Sequence, residues 1–406
     1  MPDPVTVTDI RRARERFDPD IVRETPVERS RSLSEASGAD VRLKMEHLQR
    51  TGSFKTRGAS NKLATIEAAG DAERVVAASA GNHAQGVALA ATDAGIPSTV
   101  VMPEDAPQAK VDATRGYGAE VVLRGREFGE AMAHARELAE GPGSVFVHAY
   151  DDPAIVAGQG TLGLEVAEQV PDVDTVIVPI GGGGLIAGVA VALAGVAPEV
   201  RVVGVQAEAA ATVPESLRKG APVAREETRT IADGIATGGI ADLTYGLIER
   251  HVDEVVTVSD DEISHAVLAL LGRAKQLVEG AGAAPVAALL SERVDATDET
   301  VVPLLCGGNI DMSLLDTVLE HAMSDRDQLL RLRVRIEDGP GELSTLSTVF
   351  ADRGANVRHV RHDRGVEDLR VGEAYLTFEV TAAGREHAAR LVDAVRERGY
   401  EVTRLN

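Results

Sequence analysis

Asp174 Thr175 Val176 Ile177 Val178 Pro179 Ile180 Gly181 Gly182 Gly183 Gly184 Leu185 Ile186 is the stretch on which the fold turns. The β-branched run from Thr175 to Val178 reads as a buried strand, four glycines break it, and residues 185–193 resume as an apolar helix. Four glycines are costly to order, so a merely flexible turn is a poor explanation for them. A strand that enters such a turn and leaves as a helix lets bare backbone amides wrap an anion at the helix start, and a phosphate fits there. The nucleoside-triphosphate loop is excluded, because Leu185 and Ile186 stand where Lys and Ser/Thr would be required. The dinucleotide fingerprint fits poorly, since the pair Gly181 and Gly183 lacks a glycine three residues beyond, where Ile186 stands.

Outward from this turn the alternation continues. Upstream, residues 75–78, 97–102, 120–123 and 144–148 read as strands, with helices over 81–94, 106–117, 129–140 and 158–168. Downstream, 202–205 and 301–305 read as strands and 262–277 as a helix. Strand and helix in alternation predict an α/β fold, its parallel sheets covered by helices on both faces. Ligands then gather beyond the carboxyl ends of the strands, where the turns at Ser79, Gly181 and Cys306 lie. Near the start, Thr8 is expected to cap a charged helix, and residues 41–45 form a short strand leading to Thr51. After about 328 the period changes. Leu330, Leu332, Val334 and Ile336 alternate with Arg331, Arg333 and Arg335, and the order from there is βαββαβ, an α+β unit of the ferredoxin-like type. It holds no lysine, no cysteine and no glycine-rich anion loop, so it reads as a regulatory or structural module.

The formal charge of −22 argues against a nucleic-acid partner. No apolar run is long enough to span a membrane, and Asp3 and Asp9 stand where a signal peptide would need basic and apolar regions. Cys306 is the single cysteine, which points to a reducing, cytoplasmic location. Only 6 of the 42 basic residues are lysine, and the acidic excess suggests a surface suited to concentrated salt, a halophilic trait.

Three further stretches carry chemistry. In Thr51 Gly52 Ser53 Phe54 Lys55 Thr56 Arg57 Gly58 Ala59, Lys55 falls in the first turn of a helix, where the dipole disfavours an ammonium and favours a nucleophilic amine. On this stretch alone an ordinary surface lysine after a turn reads equally well. The turn Ser79 Ala80 Gly81 Asn82 His83 Ala84 Gln85 Gly86 gathers polar groups at a strand end. Asn82 can donate to an anionic oxygen, Ser79 and nearby amides can hold a carboxylate, and His83 reads either as a base or as a cap or satisfied buried histidine. Cys306 is either a nucleophile without a visible base or a neutral hydrogen-bond partner for a ring nitrogen, the latter making better sense.

Together TGSFKTRGA, SAGNHAQG, GGGGL, TIADGIA from Thr230, EGAGA from Glu279 and the closing CGGN resemble the threonine/serine dehydratases, pyridoxal-phosphate enzymes of the tryptophan-synthase-β fold type. The resemblance covers roughly residues 5–322, and the segment from 328 looks like an ACT domain, with its turn at Asp338 Gly339 Pro340 Gly341. It implies a fold type II catalytic domain over 1–325, with a smaller subdomain of about 45–150 inserted in a larger one, and an ACT-like domain over 328–406. It implies pyridoxal 5′-phosphate as cofactor, bound covalently by Lys55 beside Phe54. Asn82 would meet the cofactor's 3′-oxygen, and Gly181, Gly182, Gly183, Gly184 and Leu185 its phosphate. Cys306 would face the pyridine nitrogen, while Ser79, Asn82 and His83 grip the substrate carboxylate. The implied activity is deamination of L-threonine to 2-oxobutanoate, with L-serine as a second substrate, in a homo-oligomer that answers to an amino-acid effector at the ACT domain. Racemases of the same family place a second serine where Ala80 stands here. Some relatives bind a divalent cation, but Gln206 occupies the place of the key acidic ligand, although Glu208 is close, and no metal is expected. A degenerate body serving a sensing ACT module is the remaining alternative.

Overall fold

The computed structural model describes residues 3–70, 72–225 and 228–405. Contacts divide the chain into two units, Met1–Asp311 and Met312–Asn406. The first contains β1 (Val27–Arg29), β2 (Asp40–Lys44), β3 (Arg74–Ala78), β4 (Ser98–Met102), β5 (Glu120–Leu123), β6 (Ser144–Phe146), β7 (Thr175–Pro179), β8 (Arg201–Ala207), β9 (Glu254–Val258) and β10 (Thr300–Pro303).

These strands make two sheets wound alike. In the smaller, ordered β5-β4-β3-β6, the chain runs outward from β3 to β5 and then returns to lay β6 on the other flank of β3. All its pairings are parallel. The larger sheet, ordered β1-β2-β10-β7-β8-β9, does the same from β7, with β10 returning on its other flank. Only β1 runs antiparallel. The winding reverses between β3 and β6 and again between β7 and β10. At such switch points the loops beyond the carboxyl ends diverge and leave a crevice. The segments leaving these four strands begin at Ser79, Val147, Ile180 and Leu304, so three of them carry the turns singled out from the sequence.

The helix Pro153–Gln169 lies between the two halves, and glycines set its distances. A Cβ on Gly158 would come within 2.7 Å of the Arg57 carbonyl on the helix Lys55–Ala69. On its other side, a Cβ on Gly188 of the helix Gly184–Val196 would fall 2.4 Å from the Val156 carbonyl and 2.6 Å from the Gly160 amide. Backbone therefore packs on backbone at both contacts, and no side chain larger than hydrogen fits.

The unit's charges are buried beside the lysine helix. Arg57, fully buried, donates to Glu46 at 2.7 and 2.8 Å and to Glu165 at 2.6 and 2.8 Å, while buried Lys44 donates to Glu165 at 2.6 Å. Two cations meet two carboxylates, so no net charge is left in the interior.

Most element boundaries differ from expectation by one or two residues, and three differences have a clear physical cause. The first helix is Val7–Glu15, capped by Thr6 rather than Thr8, because only Thr6 has an acid three residues on, Asp9, to return its bond. The helix expected over 158–168 begins at Pro153, with Asp152 accepting from the Ala154 and Ile155 amides. The helix expected over 262–277 is Asp260–Ala269, which widens into a π-turn at Leu270–Ala274 and stops at Lys275, whose φ is 62°. There the Gln276 amide closes back on the Leu270 carbonyl at 3.0 Å.

In the second unit, β11 (Leu329–Glu337), β12 (Val357–Asp363), β13 (Glu373–Thr381) and β14 (Glu401–Arg404) form an antiparallel sheet ordered β12-β13-β11-β14. Leu332, Val334, Leu376 and Phe378 share one core with Leu346 and Phe350 of the helix Glu342–Ala351 and Leu391 and Val395 of the helix Arg385–Glu397. The helix Met312–Asp325 counts with this unit. Among the described residues no helix is long and apolar enough to cross a membrane.

Candidate active site

Lys55 is the first residue of its helix, as the sequence predicts, and Phe54 before it provides no side-chain cap. The Lys55 amine lies 5.2 Å from the Phe54 ring centroid and donates to the Ala149 carbonyl at 3.2 Å. Among the described residues no carboxylate pairs with it. Burial brings this amine down to about 8, and only an ionised Cys306 or Glu279 would work the other way.

Ala149 joins the lysine to the glycine turn, because the next residue, Tyr150, lies against it. A Cβ on Gly182 would sit 2.2 Å from the Tyr150 ring, and one on Gly184 3.0 Å from the Tyr150 Cβ. Gly183 has φ +88°, and its Cβ would meet Thr244 at 2.9 Å, while one on Gly181 would meet Thr237 at 3.0 Å. The Thr244 hydroxyl donates to the Gly182 carbonyl at 2.9 Å, which fixes the turn from beneath. Crowding thus requires glycine at Gly182 and the left-handed backbone favours it at Gly183, while a Cβ at Gly181 or Gly184 would press on its neighbours. The turn leads directly into the helix Gly184–Val196, and Leu185 is buried in that helix's first turn. The first amides of a helix have no partner within it and present themselves to an anion.

Beyond β10, the buried Cys306 accepts from the Phe54 amide at 3.0 Å through its carbonyl, and Ser53 bridges Gly307. Burial, reinforced by the charge of Glu279, raises the Cys306 thiol well above its ordinary value. It is a neutral thiol, fitted to face a ring nitrogen and not to act as a thiolate nucleophile.

The turn beyond β3 divides its work. The Ser79 hydroxyl accepts from the Gly81 amide at 3.1 Å. His83 is buried with its Nε2 3.0 Å from the Val147 carbonyl, and burial together with the Lys55 charge pushes the imidazole down to about 3. The ring is therefore a satisfied, neutral histidine, and what His83 offers a ligand is its amide at the helix start. Asn82 donates through Nδ2 to Glu279 at 2.7 Å and accepts at Oδ1 from Asn309 at 2.7 Å. Burial pushes the Glu279 carboxyl up to about 7, against the opposing Asn82 bond.

Glu279, Asn309, Tyr150 and Thr244 were not picked out from the sequence. Glu279 and Asn309 each stand in a motif and could have been found there; Tyr150 and Thr244 carry no local signal. Gln206 turns inward, where Oε1 accepts from the Thr212 and Val213 amides at 3.0 and 2.8 Å and so caps the helix Val213–Lys219. Among the described residues no three His, Cys, Asp or Glu side chains cluster as metal ligands.

An amine with lowered basicity, a glycine-lined helix start reached through Ala149 and Tyr150, and a neutral thiol beyond β10 fit one kind of group. It carries an aldehyde, a phosphate and a weakly basic ring nitrogen. The buried Ser53 hydroxyl, which has no hydrogen-bond partner among the described residues, lies two residues before the lysine and adds a polar group to the site.

Comparison with known proteins agrees. The family described as pyridoxal-phosphate dependent enzyme matches residues 19–307, and the ACT domain matches residues 330–402. The chain is 44% identical to an L-threonine ammonia-lyase of Thermotoga maritima over 98% of its own length and 99% of the relative's. It is 46% identical to one of Geobacter sulfurreducens over 94% and 95%. Among solved structures, the processed form of threonine deaminase isoform 2 from Solanum lycopersicum superposes with a TM-score of 0.74 at 37% identity, covering 78% of this chain and 87% of that one. The chain belongs to the pyridoxal-phosphate dependent enzymes, fold type II, and ends in an ACT domain.

Proposed function

We propose that this enzyme deaminates L-threonine to 2-oxobutanoate and ammonia, and L-serine to pyruvate more slowly. The observation that carries the reading is the Lys55 amine, linked to the glycine turn through Ala149 and Tyr150, in a chain alike end to end with threonine ammonia-lyases. When bound, pyridoxal phosphate supplies the acceptor for the electron pair released at the substrate's Cα. Lys55, whose amine is lowered to about 8 by burial, takes the α-proton. Ser79 and the amides of Asn82 and His83 hold the substrate carboxylate, and Asn82 meets the cofactor's 3′-oxygen. Gly181, Gly182, Gly183, Gly184 and Leu185 hold the phosphate, and Phe54 packs by the ring. A neutral Cys306 would leave the ring nitrogen unprotonated and the ring a weaker electron sink, so that loss of the α-proton would go with departure of the β-hydroxyl, which takes up a proton and leaves as water. The enamine set free takes a proton, gains water and loses ammonia, which leaves the 2-oxo acid.

Racemisation would need an acid on the opposite face, and Ala80 offers none; it packs instead against an apolar cluster. We read the catalytic work as belonging to residues 1–325 and a regulatory role as belonging to 328–406. The latter would bind an amino-acid effector in a cytoplasmic homo-oligomer that supplies 2-oxobutanoate for isoleucine formation. The purified protein with pyridoxal phosphate should form 2-oxobutanoate from L-threonine with a higher kcat/KM than for any other amino acid. Equal or better turnover of L-serine, or interconversion of D- and L-serine, overturns the assignment. Lys55→Ala should lose both turnover and the visible absorbance of the lysine-bound cofactor.

A further inference from the structure

The Asn82 amide is held at both ends. Asn309 donates through Nδ2 to the Thr51 carbonyl at 2.7 Å, and a carbonyl only accepts, so the NH2 end of Asn309 must face that way. The same Nδ2 stands 2.7 Å from Asn82, which makes Oδ1 the Asn82 atom on that side and leaves Nδ2 facing Glu279. Glu279 is itself anchored, its amide donating to the Gly307 carbonyl at 3.0 Å. Gly307 leaves room for the contact, since a Cβ there would lie 2.3 Å from Glu279 Oε1 and 3.2 Å from Asn82 Nδ2. Gly52 does the same for Asn309, where a Cβ would lie 2.5 Å from Oδ1. Two side chains, Glu279 and Asn309, each anchored by a backbone bond and given room by a glycine, thus close on one amide from three other segments of the chain, and the proposed reaction leaves Glu279 without a task.

We propose that Glu279 is a positioning residue for the reaction: its carboxylate, opposed by Asn309, locks the Asn82 amide in the one of its two flip states that presents a donor. A pinned Asn82 has its second Nδ2 hydrogen left to give. A flipped one would present a second lone-pair oxygen to any anionic oxygen beside it, such as the cofactor's 3′-oxygen, and repel it. The lock also joins the turn beyond β3 to the segment beyond β10 and to the loop that carries Lys55. This inference rests on the proposed reaction, yet part of its test does not.

The test compares Glu279→Leu with Glu279→Gln, which keeps an acceptor oxygen of the same reach. Pyridoxal-phosphate affinity is measured by fluorescence titration of the cofactor-free protein, and kcat for L-threonine is expressed per bound cofactor. Glu279→Leu should bind the cofactor about tenfold more weakly and lose about tenfold or more in kcat, the size expected when one buried hydrogen-bond partner is removed. Glu279→Gln should recover both to within about threefold. A leucine variant that matches the wild type in both readouts overturns the proposal. So does a glutamine variant as impaired as the leucine one, since charge rather than orientation would then be at work. Should Glu279→Leu not fold, Asn309→Leu removes the opposite pin and should show the same two losses; unchanged values overturn the proposal equally. A wild-type enzyme that binds cofactor but leaves L-threonine untouched would refute the proposed reaction, while the affinity comparison would still decide the role of Glu279.

Discussion

A lysine becomes a reagent at neutral pH only if something holds its proton loosely, and two effects compete for that role at Lys55. A helix start costs a cation roughly 0.3–1 kcal/mol, less than one pKa unit at about 1.36 kcal/mol per unit. The amine falls from 10.5 to about 8, with burial as the leading cause, so desolvation outweighs the dipole on which the sequence reading relied. At pH 7 the neutral fraction is then about one part in ten, against about three parts in ten thousand for a solvated lysine. The rate at which the cofactor-free protein captures pyridoxal phosphate should therefore climb about tenfold per pH unit below about 7.5 and level off above about 8. Stopped-flow absorbance across pH 6 to 10 reads this directly. A climb that continues to pH 10 would place Lys55 in water.

At the scale of elements, the site depends on three helices that meet through glycine and one buried set of charges. Arg57 and Lys44 balance Glu46 and Glu165 beneath the lysine helix. Replacing Arg57 by methionine leaves two carboxylates with one cation, which should cost about 3–5 kcal/mol by urea unfolding at pH 7.5. Arg57 helps to hold the Glu46 carboxyl below its ordinary value despite burial. A group so depressed contributes stability above its unfolded value of 4.5 and loses it as pH falls through the folded one, so the variant's deficit should narrow below about pH 4.5. A deficit under about 1 kcal/mol at pH 7.5 would mean the charges are solvated after all. Much of this level was legible in the sequence: the β-branched runs located the strands, and the order of strand and helix foretold parallel sheets. The start of the helix at Pro153 was also written there, as an aspartate cap before a proline in the first turn, a signal that an expected start at 158 overlooks. The π-turn was not legible, since the apolar period runs on past Leu270 and only the left-handed Lys275 ends it. Likewise Glu279 and Asn82 stand 197 residues apart, and no local pattern announces that one orients the other.

The whole molecule carries a charge of −22, and its response to salt sets two effects against each other. Exposed pairs such as Arg31 with Glu35 and Lys219 with Glu215 contribute little and weaken as salt screens them. Repulsion among the acidic excess weakens as well, and it acts on the folded chain, where like charges stand closest. With 64 acidic residues against 42 basic ones, 22 carboxylates at the least have no basic residue to match them, so relief of repulsion should dominate. The melting temperature should then rise as potassium chloride goes from about 0.05 to 2 M. Most of the rise should fall below about 0.5 M, because the screening length has already dropped from about 10 Å at 0.1 M toward about 3 Å at 1 M. A gain confined to molar salt would instead point to exclusion of the salt from the protein surface. A melting temperature that falls with potassium chloride would show that the ion pairs outweigh the repulsion and would end the halophilic reading of the surface.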